Sequence, residues 1–79
     1  MTMPGFDRIT IDPAIMAGKP CLRGLRITVP LVLNLLANGM TPEEIVRDYP
    51  PLELADIHQV LRYAAWLADE TIIPLGQAA

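Results

Sequence analysis

The sequence holds one cysteine, one histidine, one tryptophan, two tyrosines and one phenylalanine in 79 residues. A single thiol excludes an internal disulfide framework, and one Cys with one His cannot assemble a protein metal site. Cys21 therefore reads as a small buried apolar residue. No stretch approaches the roughly 18 uninterrupted apolar residues of a membrane span, and MTMPGFDRIT contains no apolar core of a secretory signal. The expectation is an intracellular, cytoplasmic protein with no membrane partner. Positive charge is scarce as well: six cations stand against nine carboxylates, for a net charge of −3. An acidic chain is a poor nonspecific ligand for nucleic acid, whose binding is driven by phosphate neutralisation.

Apolar residues, by contrast, are plentiful at 52%. A chain of this length forms one domain and buries only about 60% of the surface that its unfolded form exposes. So much apolar surface is hard for it to hide alone, which predicts an oligomer, most simply a homodimer. Charge is also uneven. Residues 1–30 hold Arg8, Lys19, Arg23 and Arg26 against Asp7 and Asp12, while residues 31–79 hold only Arg47 and Arg62 against seven carboxylates. A local cationic segment thus sits on an acidic body.

Along the chain, residues 1–6 read as disordered. Arg8-Ile9-Thr10-Ile11-Asp12 alternates polar and apolar, as a short strand does, and Asp12-Pro13 ends it. GKPCLRGLRITVP (18–30) reads as two short extended pieces bent at Gly24, forming with Ile9 a β/Gly-rich segment over 9–27. A three-helix bundle follows over 28–70. Thr28 caps a helix over Val29 to Asn38 that stops at Gly39 and is apolar on nearly every side. Thr41-Pro42-Glu43-Glu44 carries a capping box for a helix over Pro42 to Asp48. Tyr49-Pro50-Pro51 separates it from a third helix over Leu54 to Glu70, whose stripe Leu54, Ile57, Val60, Leu61, Ala64, Leu67 and Ala68 is expected to face the core. Residues 71–79, TIIPLGQAA, read as a flexible apolar tail. The fold class expected is mainly α: a short N-terminal β element followed by a trihelical bundle of helix-turn-helix type.

No pairing of nucleophile with base is visible. His58 lies off the expected stripe without an evident acid or base beside it, and Glu43, Glu44 and Asp48 suit capping and helix-dipole roles. A catalytic site and a cofactor are therefore not expected. Lys19, Arg23 and Arg26 can bind phosphates or carboxylates, with Gly18 and Gly24 letting the backbone approach closely; Arg47 joins them as a further candidate contact. The alternative is a solvated edge, or salt bridges to Asp12 and the helix carboxylates. Gln59, Arg62, Tyr63 and Trp66 project away from the expected core stripe and suit a partner-binding face, unless Trp66 completes the bundle.

The order of motifs Ile11-Asp12-Pro13, Gly18-Lys19-Pro20, Arg23-Gly24, Arg26-Ile27 and Val29 continues with Gly39, Thr41-Pro42-Glu43-Glu44-Ile45, Asp48-Tyr49-Pro50, Leu52, Asp56-Ile57 and Tyr63-Ala64. Over roughly residues 9–66 this resembles the bacterial family catalogued as domain of unknown function 433. The resemblance implies a homeodomain-like helix-turn-helix fold and an antitoxin (VapB-type) of a type II toxin–antitoxin pair. The partners implied are a PIN-like ribonuclease toxin and, through a dimer, operator DNA; an interaction or dimerisation module without DNA binding is the alternative. Cys21, Leu25 and the run Glu53-Leu54-Ala55 depart from the pattern, whereas Lys19, Arg23 and Arg26 keep it.

Overall fold

A computed structural model describes residues 1–70. Strand β1 (Thr2–Met3) and strand β2 (Phe6–Thr10) are joined through Pro4-Gly5, with Gly5 at φ +83° as a type II turn requires. Strand β3 (Cys21–Leu22) lies on the other edge of β2, antiparallel, with Ile9 opposite Leu22 and Thr10 opposite Cys21. Helix α1 (Val29–Ala37), helix α2 (Pro42–Asp48) and helix α3 (Leu54–Glu70) complete the chain.

Local chemistry sets the helix ends. The Thr28 hydroxyl accepts from Leu31 N at 3.1 Å, and Gly39, at φ +96°, takes the left-handed position just past α1. At α2 the capping box is complete: Thr41 Oγ1 accepts from Glu44 N at 3.1 Å, and Glu44 Oε1 accepts from Thr41 N at 2.8 Å. Replacing Thr41 by alanine is expected to cost about 1 kcal/mol, because Glu44 N loses its acceptor, although the backbone amide at 41 can still donate to Glu44 Oε1. Urea denaturation measures it; a change below about 0.3 kcal/mol would mean the box contributes nothing here.

The core is one continuous cluster drawn from every layer. Phe6 and Ile9 of β2 and Leu22 of β3 meet Val29 and Val32 of α1, Ile45 of α2, Leu52, and Ile57, Val60 and Tyr63 of α3. Leu31, Leu33, Leu35 and Leu36 of α1 are half-buried within the single chain. Cys21 is buried, its thiol donating to Lys19 O at 3.3 Å, and burial pushes the thiol up despite the opposing influence of Arg26.

A short N-terminal β element and three helices are present, but the expectation of a mainly α, homeodomain-like helix-turn-helix bundle is corrected. The domain is α+β: a three-stranded antiparallel sheet forms a layer of the core, and α3 packs on strand β2 as well as on α1 and α2. Two features of the chain cause this. The first residues are not disordered, because the Pro4-Gly5 turn folds β1 back on β2. Helix α3 also turns inward only part of the stripe expected, Ile57 and Val60, together with residues outside it. Asp56, Ile57, Gln59, Val60 and Tyr63 are buried, whereas Leu54, Leu61 and Ala68 are exposed. The tail assignment at 71–79 lies outside the described residues.

Candidate functional site

The bend in the cationic segment is a two-residue turn. Leu25 N donates to Leu22 O at 2.8 Å, and the central residues Arg23 (φ +47°) and Gly24 (φ +72°) are both left-handed, as a type I′ turn demands. Glycine accepts this freely, but arginine does not. The strain at Arg23 is over-determined by its partners. Its amide donates to Arg8 O at 2.8 Å, and Gly24 N donates to Thr10 Oγ1 at 2.9 Å, tying the turn to β2.

The Arg23 guanidinium reaches across to the first turn of α3. Its Nε donates to Asp56 Oδ1 at 3.0 Å, its Nη2 donates to Asp56 Oδ2 at 2.9 Å, and Nη2 also donates to Pro51 O. Arg8, from β2, donates to the same carboxylate at 3.1 Å and to Glu53 Oε1 at 2.7 Å. Asp56 Oδ2 additionally accepts from Glu53 N at 2.8 Å, closing the start of α3. Asp56 is 0% exposed, so this is a buried carboxylate with every lone-pair direction answered. Burial is the largest single influence on it and pushes its pKa up. The hydrogen bonds from Arg23, the Glu53 amide and Arg8 together outweigh burial and hold the carboxyl below its ordinary value. Arg8 is raised by its bonds to Glu53 and then Asp56, and Arg23 by its bond to Asp56.

The geometry sorts the sequence candidates. Arg23 is engaged within the chain, through a helix carboxylate, although that partner is Asp56 rather than Asp12. Lys19 and Arg26 remain exposed on either side of the turn, and Arg47 pairs with its neighbour Asp48 at 3.2 Å. The four cations therefore do not converge on one patch of free charge.

The expected partner face of α3 is divided, with Arg62 and Trp66 exposed. Gln59 and Tyr63 are buried against β2. Gln59 accepts from Arg8 N at 2.6 Å through Oε1 and donates to Asp7 Oδ1 at 2.8 Å through Nε2. Tyr63 meets Phe6 edge-on, with ring centroids 5.3 Å apart, and Trp66 and the Arg62 guanidinium lie 5.8 Å and 5.4 Å from the Phe6 ring. These four residues form the seam between helix and sheet, because β2 needs a cover and this face of α3 supplies it.

Sequence reasoning missed Arg8, Glu53 and Asp56 as a unit with Arg23. The available signal was that Asp56 and Arg23 both fall within the motif series quoted above. Among the described residues, no three His, Cys, Asp or Glu side chains are grouped so as to hold a metal ion, and no helix is long and apolar enough to cross a membrane. One shallow recess of about 250 Å³ opens between α2 and α3, lined by Pro42, Glu43, Leu54, Ile57, His58 and Leu61. His58 is exposed on its rim.

Comparison with known proteins gives a family without an activity. A family model described as "Protein of unknown function (DUF433)" matches residues 9–64. No curated protein matches. The crystal structure of a DUF433 member protein from Anabaena variabilis is similar in fold, with a TM-score of 0.72 and 24% sequence identity; the match covers 80% of this chain and 62% of that one.

Proposed function

The chain belongs to the DUF433 family, and from that membership and the site geometry we propose that it is a non-catalytic, cytoplasmic protein-binding module that acts as an antitoxin on a PIN-like ribonuclease. The observation that carries this reading is the engagement of Arg8 and Arg23 by buried Asp56. It makes the central arginine of the Gly-punctuated segment a structural residue. The chain as a whole is acidic, at −3, with Asp7, Asp12, Glu43, Asp48 and Glu53 exposed beside Lys19, Arg26, Arg47 and Arg62. An acidic surface complements a cationic nuclease and opposes a phosphate backbone.

Operator binding is the second reading, favoured by the exposure of Lys19 and Arg26 on either side of the β3 turn. Two cations per chain, even doubled in a dimer, support only weak and salt-sensitive contact. Co-expression with an adjacently encoded PIN-like nuclease, and retention of upstream DNA by the purified chain at two salt concentrations, decide between them. The expected result is co-purification with relief of growth arrest, and no salt-sensitive DNA retention. Retention at low salt that disappears in the Lys19→Ala, Arg26→Ala double variant would make DNA the primary ligand. Failure to relieve arrest would remove the antitoxin reading.

A further inference from the structure

The outer face of α3 has no role in the site or in the seam with β2. With Asp56, Ile57, Gln59, Val60 and Tyr63 turned inward, Leu54, His58, Leu61, Ala65 and Ala68 recur at alternating four- and three-residue spacing along the opposite side. All five are exposed, Leu54 at 51% and Leu61 at 45%. A surface helix ordinarily turns charged residues to water on this side, and this stripe carries none. Beside its N-terminal half lies the recess formed with Pro42 and Glu43 of α2.

We propose that this face docks a second copy of the chain, α3 against α3 in antiparallel fashion about a two-fold axis near Leu61. The sizes of the side chains select that occupant and that direction. Large residues, Leu54 and His58, fill the first half of the stripe, and small ones, Ala65 and Ala68, fill the second. Turned antiparallel about Leu61, Leu54 meets the partner's Ala68 and His58 meets the partner's Ala65, so that each large group faces a small one. A parallel pair would oppose Leu54 to itself and leave a gap at Ala68. At the centre Leu61 meets the partner's Leu61 across the axis, and the recess that Leu54, Ile57 and Leu61 help to line flanks the contact on each copy.

Charge agrees with the choice. Two copies of a chain of net charge −3 repel each other, and a stripe without carboxylates lets them meet with the like charges at the rim, where Glu43 stays in water. The stripe is about 21 Å long. With the α2 rim it buries on the order of 500 Å² per copy, or about 1,000 Å² in total, the lower end for a specific interface. The dimer is thus expected to be reversible. The inference does not depend on the antitoxin reading, since it concerns the purified chain alone.

Sedimentation over a concentration series tests it, beside Leu61→Glu and two variants that each add one cysteine to Cys21. The parent is expected to form dimers. Leu61→Glu, at an exposed position, is expected to keep its circular dichroism and urea midpoint while dimerising roughly tenfold or more weakly. Under oxidising conditions Leu61→Cys, near the axis, is expected to cross-link rapidly, and Ala55→Cys, off the stripe, is not; Cys21 is buried and takes no part. A parent that stays monomeric throughout overturns the proposal. So does a Leu61→Glu variant that dimerises as the parent does, or a face covered only when a different protein is added.

Discussion

Replacing Asp56 by alanine is expected to destabilise the domain by about 3 kcal/mol, at the lower end of what removing one partner from a buried ion pair costs. The lower end applies because the Arg8 and Arg23 side chains are 30% and 34% exposed, so each guanidinium can turn partly to water once its carboxylate is gone. The substitution also takes away the acceptor for Glu53 N, leaving an open donor at the start of α3. It further releases the turn at Arg23, whose left-handed backbone has then lost a main anchor. Asp56→Asn keeps the shape and some acceptors but not the charge, and should fall between parent and alanine. Urea denaturation monitored by circular dichroism gives the measurement. A loss below about 1 kcal/mol for alanine would show that the carboxylate is only a surface ion pair in effect. Combined with Arg23→Ala, the two losses should fall well short of adding, since both remove the same contact.

The same carboxylate sets an acid limb. Its folded value is lowered, so the stability it contributes is fully present above the ordinary carboxyl range near 3.9 and is lost as pH falls through the folded value. Stability attributable to Asp56 should therefore be flat above about pH 5 and fall below about pH 4. The difference between parent and Asp56→Ala should shrink over that acid interval. Arg8 and Arg23 are raised, so their contribution is intact below the free arginine value and has no bearing on neutral pH.

How legible this was depended on the range of the interactions. The ends of α2 and the start of α3 follow from Thr41-Pro42-Glu43-Glu44 and from the prolines at 50 and 51, signals that act within four residues, and the structure reproduces them. The facing of α3 was not legible, because apolar residues lie on both sides of the helix. Leu54, Leu61 and Ala68 make as regular a stripe as Ile57, Val60 and Ala64, and only the sheet decides which is buried. Strand β1 has two residues and no periodicity to read; its pairing depends on a turn and on a partner strand. The Asp56 site joins residues 33 and 48 positions apart. An aspartate in a first helical turn reads as a favourable partner for the helix dipole. Nothing local announces that it is buried under two arginines.

Leu22→Ala measures how far the sheet belongs to the core, and it is expected to cost about 2–5 kcal/mol. Leu22 is 0% exposed and lies opposite Ile9, itself 0% exposed, in the layer that α3 covers. Truncation to alanine leaves a cavity between β3, β2 and the helices, and the surroundings have little freedom to fill it. On one side the type I′ turn fixes Arg23 and Gly24 to β2; on the other, Leu22 N donates to Ile27 O at 3.0 Å. A domain of this size has a total stability of roughly 4–12 kcal/mol, so the variant should be largely unfolded well below the parent's melting temperature. If the β element were only an appendage to a three-helix bundle, the same substitution would cost less than about 1 kcal/mol and the α3 amides would keep their hydrogen-exchange protection. In the arrangement seen, Tyr63 and Gln59 of α3 rest on β2, so loss of the sheet layer should weaken protection at Asp56 through Tyr63 together with that of the strands.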